Sequence, residues 1–293
     1  MDMNILWIVL IILLSVCVIS WITDSHRFIV RHYSVESDKI KQDTRFALIA
    51  DLHNKEYDKG NSALLDAIDR EKPDAVIIAG DLLTGVKNHD FTPAVELIRN
   101  LSVRYPIYYG MGNHEHRLKI YPERFESMWD DYTAELKSCG VHIMENERTV
   151  FRDSGIEIAG LAVDVKHYKK FGAVGLDEDE IEDSLGEADH EHMIILIAHD
   201  PTHFEAYAKW GADLTVSGHY HGGVMRIPGI GGVISPRFRL FPRYSGGEYE
   251  RNGSKMIVSC GLGMHTVSIR VFNPGELGII DIHRGKNGYS GQT

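Results

Sequence analysis

Five short stretches hold a concentrated stock of carboxylate, amide and imidazole groups: Asp51-Leu52-His53, Gly80-Asp81, Gly112-Asn113-His114-Glu115, His199, and Gly218-His219-Tyr220-His221. Each has an ordinary explanation when taken alone. An Asp-x-His pair arises often by chance, and Gly-Asp or Gly-Asn-His after an apolar run reads as a turn. A single His199 suits a hydrogen-bonded core histidine, and His219 and His221 would share one side of a strand. Taken together they share one position, just past the end of an apolar run, and no basic residue substitutes for any of them. A set of seven oxygen and nitrogen donors of this kind suits divalent cations. The set lacks thiolates, which favours Mn, Fe or Zn in a hard-to-borderline site over a structural cysteine–zinc site.

The elements that must position these groups alternate. Short apolar runs at Phe46 to Ala50, Ala75 to Ala79, Ile107 to Tyr109, Ile156 to Leu161, Met193 to Ala198 and Leu214 to Ser217 predict buried strands. Strands around Met256 to Ser259 and Leu277 to Ile282 close the chain. Helical spacing appears at Asn61 to Glu71, where Leu64, Leu65 and Ile68 share a face, and at Phe91 to Asn100. Pro122 to Ser138 reads as one helix, with Pro near its start and Gly140 past its end. Asp177 to Glu187 reads as an acidic, solvated helix with Asp177 and Glu180 at capping-box spacing. This alternation predicts an α/β domain with helices flanking sheets. In open α/β sheets, ligands bind at the carboxyl ends of the strands, where the five stretches lie.

The series DLH, GD, GNHE, H and GHYH, in this order, resembles the signature of the calcineurin-like metallophosphoesterases. It is most similar to a bacterial membrane-bound branch that includes enzymes similar to UDP-2,3-diacylglucosamine pyrophosphatases. The resemblance covers roughly residues 44 to 282 and extends to Ser259-Cys260-Gly261-Leu262-Gly263 and Arg270 to Leu277. It implies a four-layer α-β-β-α sandwich and two divalent metal ions. By that resemblance Asp51, His53 and His221 hold the first ion, Asp81 bridges both, and Asn113, His199 and His219 complete the second. His114 stands beside the substrate, steadying the transition state or protonating the leaving oxygen. Glu115 occupies a position where Asp is usual, and Ala50 one where Ser or Thr is frequent. Two cations about 3.5–4 Å apart clamp the attacking and leaving oxygens of an in-line displacement, and a water they share becomes a hydroxide nucleophile near neutral pH. The expected activity is therefore phosphoric ester hydrolysis by a phosphodiesterase or pyrophosphatase. A phosphomonoesterase or protein phosphatase is the alternative within the class, and a non-catalytic membrane receptor or scaffold the alternative outside it.

Met3 to Thr23 carries no charged side chain, and Trp7 and Trp21 sit near the ends of its apolar run. Twenty such residues span a bilayer core, and aromatic rings favour its edges. The preceding residues lack the basic start of a secretory signal. The expected organisation is a transmembrane anchor over 1–23, a polar connector over 24–43 and the metallophosphoesterase domain over 44–293. Arg27, Arg31, Lys39 and Lys41 follow the anchor, so the positive-inside rule places the domain in the cytoplasm of a single-pass membrane protein.

With 31 basic against 42 acidic residues the net charge is −11, so nucleic acid is not the expected partner. Three cysteines, Cys17, Cys139 and Cys260, give no disulfide framework. One basic segment, with Arg237, Arg239 and Arg243 among aromatic and apolar residues, reads either as a solvated hairpin or as a contact for substrate phosphate. The anchor points toward a lipid-linked or envelope phosphoester as substrate.

Overall fold

A computed structural model of the chain describes residues 3–88, 90–168, 175–234, 240–264 and 269–285. The first half runs α1 (Met3–Asp24), β1 (Phe28–Ser37), β2 (Thr44–Ile49), α2 (Ser62–Glu71), β3 (Ala75–Ile78), α3 (Thr92–Ser102), β4 (Ile107–Gly110), α4 (Asn113–Ile120), α5 (Pro122–Phe125), α6 (Met128–Ser138), β5 (His142–Met144) and β6 (Glu147–Val150). The second half runs β7 (Ile156–Leu161), α7 (Glu178–Leu185), β8 (Met193–Ala198), α8 (Phe204–Trp210), β9 (Leu214–Ser217), β10 (Arg226–Ile227), β11 (Gly231–Gly232), β12 (Gly247–Arg251), β13 (Ser254–Val258) and β14 (Gly275–Arg284).

The strands build two six-stranded sheets, ordered β1-β14-β2-β3-β4-β5 and β12-β13-β9-β8-β7-β6, with β10 and β11 as a separate hairpin. β2, β3, β4 and β5 run parallel, as do β7, β8, β9 and β13. Alternation along each strand divides its side chains between two cores. Ala47, Ile49, Val76 and Ile78 face α2, α3 and α6, whereas Phe46, Leu48, Ala75 and Ile77 meet Ile158, Ile195, Ile197 and Val216 of the second sheet. The other face of that second sheet packs Ile194, Leu196 and Ala198 against Ile181, Tyr207 and Trp210 of α7 and α8. Strands buried on both faces explain the near-continuous apolar runs.

Register then fixes the site. Ile49 pairs with Ile78 and Ile78 with Tyr109, so the turns carrying Asp51, Asp81 and Asn113 emerge side by side. Ile197 pairs with Val216 in the second sheet, which brings the turns after β8 and β9 to the same edge.

Two features differ from the sequence expectation. The stretch 24–43, expected to be a polar connector, contains β1, which pairs in parallel with β14 along its whole length. Its inner face buries Tyr33 and Val35, while Arg31 and His32 stay exposed. The expected helix from Pro122 to Ser138 is broken into α5 and α6 at Glu126, whose φ is 56°. His219 and His221 fall past the end of β9, in agreement with a strand expected over Leu214 to Ser217. They lie in the turn after β9, with φ of 71° and 50°. Asp177 does cap α7, accepting a hydrogen bond from the Glu180 N–H at 3.0 Å.

α1 is the one helix among the described residues long and apolar enough to cross a membrane, with mean hydropathy 3.0 over its best window. Its 22 residues reach about 33 Å. Only Ser20 and Asp24, at its carboxyl end, are buried.

Candidate metal centre

The structure brings Asp51, His53, Asp81, Asn113, His114, His199, His219 and His221 to one edge of the paired sheets. Six of these are buried, and Asn113 and His219 are half-buried. Three triads have ligand atoms within 4.8 Å of one another: Asp51, His53 and His221; Asp81, His199 and His219; and His53, Asp81 and His114. A further triad, Glu157, Asp189 and His192, lies elsewhere. Its members belong to an ion-pair network, with Arg148 on Glu157 and His192 on Asp189.

The backbone takes unusual conformations to do this. Asp51, His53, Asp81, His219 and His221 all have positive φ, between 49° and 71°. Such a residue costs about 1 kcal/mol or more, although Asp and His tolerate the region better than most. Pairing between turns holds them. Asp51 N–H donates to Gly80 O, and His53 N–H to Asp81 O, each at 3.1 Å. Close approach also demands two glycines. A Cβ on Gly80 would lie 2.6 Å from the Gly112 backbone and 2.8 Å from the His199 ring, and one on Gly112 would collide with Asp81.

Four of the five histidines fall into two kinds. His53 Nδ1 faces Leu83 O at 3.3 Å, His199 Nδ1 faces Ala79 O at 2.6 Å, and His221 Nδ1 faces Gly263 O at 3.0 Å. A carbonyl only accepts, so Nδ1 carries a proton in each ring and Nε2 turns inward, as in metal-ligating histidines. His114 is reversed. Its Nδ1 accepts from the Gly85 N–H at 2.7 Å, so its proton sits on Nε2.

Charge at the centre is concentrated. His199 Nε2 lies 3.1 Å from Asp81 Oδ2 and 3.7 Å from Asp51 Oδ1. Burial opposes a charge on His199, but the two carboxylates outweigh it and hold its pKa up at about 10, so its inward Nε2 carries a proton near neutral pH that a bound cation would displace. Burial likewise opposes ionisation of Asp81, yet His199, His114 and His53 hold its pKa well below the usual range. His221 is pushed down to about 3 by burial, aided by Arg270. Asp81 Oδ1 accepts the His114 backbone N–H at 2.8 Å, which ties the β3 turn to the start of α4.

The donor set fits divalent cations. It offers two carboxylates, inward Nε2 atoms from three histidines, and the buried Asn113 Oδ1, which has no hydrogen-bond partner among the described residues.

Two supporting residues carry roles that were not read from the sequence. Glu115 accepts the backbone N–H groups of Asp81 at 2.9 Å, Leu82 at 3.0 Å and Gly112 at 3.0 Å, with the Tyr109 hydroxyl at 2.7 Å. It therefore props the Asp81 turn. Burial, with Asp81 nearby, raises its pKa to about 7. Arg270, 1% exposed, donates to the carbonyls of Cys260, Gly261, Gly263, Asn273 and Pro274. Gly263 O is also the oxygen that fixes His221, so Arg270 holds that side chain from behind. A lone arginine near the end of a sequence gives no signal of such a role.

The basic segment does not join the cluster. Arg237 and Arg239 lie outside the described residues. Arg243 is exposed, stacks on Tyr244 at 5.2 Å, and lines a cavity of about 380 Å³ with Leu240, Phe241 and Tyr220. Tyr220 stands between His219 and His221, so this cavity adjoins the turn that carries them.

The sequence model of the calcineurin-like phosphoesterases matches residues 44–223 of the chain. An uncharacterized metallophosphoesterase of Campylobacter jejuni is 26% identical over 260 residues, covering 86% of this chain but 63% of that relative. The chain thus spans less than two thirds of the Campylobacter protein. A metallophosphoesterase of Aquifex aeolicus is 28% identical over 261 residues, covering 86% of this chain and 91% of that one. The phosphodiesterase YaeI of Escherichia coli is 24% identical over 196 residues, 66% of each chain.

Proposed function

The chain belongs to the calcineurin-like phosphoesterase family of metal-dependent phosphoester hydrolases, and on that premise we propose that it is a membrane-anchored phosphodiesterase or pyrophosphatase. The observation that carries this reading is the division of the histidines. Three offer Nε2 atoms to the centre as ligands, whereas His114 offers a proton.

Asp51, His53 and His221 would hold one cation and Asn113, His199 and His219 the other, with Asp81 between them. Manganese, iron or zinc suits these donors. When bound, the pair supplies positive charge for the phosphoryl oxygens and a water acidic enough to attack at neutral pH. The remaining work falls to the chain's own groups. His114 Nε2–H donates to a phosphoryl or leaving oxygen as negative charge grows there. Because the Gly85 N–H already fills Nδ1, the ring acts as a fixed donor rather than as the carrier of a second proton. Glu115 and Arg270 keep the Asp81 and His221 turns in place.

The phosphodiesterase name of the Escherichia coli relative supports diesters over monoesters. The successive helix–sheet, sheet–sheet and sheet–helix cores support the four-layer arrangement that the resemblance implies. α1 would anchor the chain, and Arg27 and Arg31 after it favour a cytoplasmic body. An amphiphilic substrate, of the class cleaved by the UDP-2,3-diacylglucosamine pyrophosphatase-like branch, agrees with that anchor and with the apolar cavity wall beside Arg243. The full chain in detergent with manganese is expected to cleave a chromogenic phosphodiester at least tenfold faster than the matching monoester. A faster monoester reaction would overturn the assignment within the class.

A further inference from the structure

The large apolar side chains left exposed on the body are unevenly placed. Of the nine described outside α1, five are Ile227, Ile230, Leu240, Phe241 and Phe272. Backbone pairing gathers them. Ile227 lies on the β10–β11 hairpin and Ile230 at its tip. Leu240 bridges to Ile234, and Phe241 N–H donates to Val233 O at 2.8 Å. Arg226 N–H donates to Val271 O at 3.0 Å, which brings the hairpin beside Phe272.

This strip is joined to α1. The Phe272 N–H donates to Ser20 Oγ at 2.7 Å, and the Asn273 N–H to Asp24 Oδ2 at 3.1 Å. Ser20 Oγ itself donates to Asp24 Oδ2 at 2.8 Å. Ser20 sits about 6 Å, roughly one turn, inside the helix from Asp24. The body therefore reaches up α1 into the apolar run that ends at Ile22. Phe272 is 40% exposed at that level, in a φ of 52° that an aromatic residue rarely adopts. Whatever surrounds the last turn of α1 also surrounds Phe272 and, through the pairing, the hairpin.

We propose that Ile227, Ile230, Leu240, Phe241 and Phe272 form a second membrane-contact surface, continuous with α1 and seated in the interfacial layer of the bilayer. The argument for lipid as the occupant is that continuity, because α1 buries only Ser20 and Asp24, at the end joined to the body, and leaves the rest of its apolar run uncovered. Leu240 and Phe241 also wall the cavity beside the turn that carries His219 and His221, so that its mouth opens at the lipid surface. The site then receives phosphoesters with an apolar tail directly from the bilayer. This inference rests on the reading of α1 as a retained anchor.

The test uses the full chain in phosphatidylcholine vesicles with brominated acyl chains. Cys17 and Cys139 are replaced by serine, and buried Cys260 is retained. A dye on Ile230→Cys is expected to lose at least half its fluorescence. A dye on Val103→Cys, which is 79% exposed beside the opposite ends of the strands, should keep its signal. In the same vesicles, the pair Ile227→Glu and Ile230→Glu is expected to slow cleavage of a diacyl phosphodiester at least fivefold. The rate on a water-soluble chromogenic diester should stay within twofold. An unquenched dye on a chain that resists alkaline extraction would overturn the surface alone, as would crosslinking of Ile230→Cys to a second copy. Release of the chain by alkali would overturn the anchor and the surface together. An equal loss on both diesters would overturn delivery from the bilayer. None of these results touches the esterase reading, which the soluble diester reports separately.

Discussion

Asp81→Asn is expected to cut kcat/KM on a chromogenic diester by at least 10³-fold and to leave the chain folded. Asp81 belongs to two of the three ligand triads and lies within 4.0 Å of His53, His114 and His199. Two divalent ions held about 4 Å apart would repel each other by an amount of order 15 kcal/mol even at an effective dielectric constant of 20, so a group shared by them would have to carry negative charge. Asparagine keeps the shape, and its amide oxygen keeps the bond from the His114 N–H, but it loses that charge. The fold should tolerate the change, because burial already opposes the Asp81 carboxylate and only the neighbouring histidines reverse this. The checks are steady-state rates, metal content and circular dichroism on the same sample. Near-normal turnover with metal bound would refute the bridging role.

His114→Ala should show the opposite split. Metal content stays at the wild-type level, and kcat falls about 10²- to 10³-fold, the range found when one fixed hydrogen-bond donor to a developing oxyanion is removed. The same geometry makes a finer prediction. If His114 is a fixed Nε2 donor, with Nδ1 filled by Gly85, the loss should be about equal for a nitrophenyl and an alkyl leaving group. A general acid would matter far more for the alkyl ester, which needs a proton to depart. Comparing the two leaving groups in His114→Ala separates these roles. Loss of metal in the variant would instead make His114 a ligand.

Much of this centre was legible in the sequence because its parts follow strands buried on both faces. Runs such as Ala75–Ile78 and Met193–Ala198 are apolar throughout, and a change to Asp, Asn or His marks their carboxyl ends. The elements that escaped lack that contrast. α4 reads Asn-His-Glu-His-Arg-Leu-Lys-Ile, with no apolar period, and Glu115 steadies its first turn by accepting the Gly112 N–H. β1 hides because only Tyr33 and Val35 face inward, while Tyr33 and Arg31 reach Glu276 on β14 across 243 and 245 positions of sequence. The break at Glu126 is a backbone choice by a residue with no turn preference of its own. The resemblance gathers the residues of the site, but their protonation geometry depends on which backbone group meets each Nδ1. Leu83 O, Ala79 O and Gly263 O lie on one side of that division and the Gly85 N–H on the other. Likewise, nothing in the composition near Arg270 signals that it holds the His221 turn through Gly263.

The central claim is a two-cation centre held by Asp51, His53, Asp81, Asn113, His199, His219 and His221. Its most direct test is elemental analysis of the full chain, stripped by chelator and reloaded stepwise with manganese, with the diester rate read on each sample. Activity is expected to return mainly with the second ion and to level off at two per chain. Full turnover in a chain holding no divalent ion, or a plateau at one, would contradict the account.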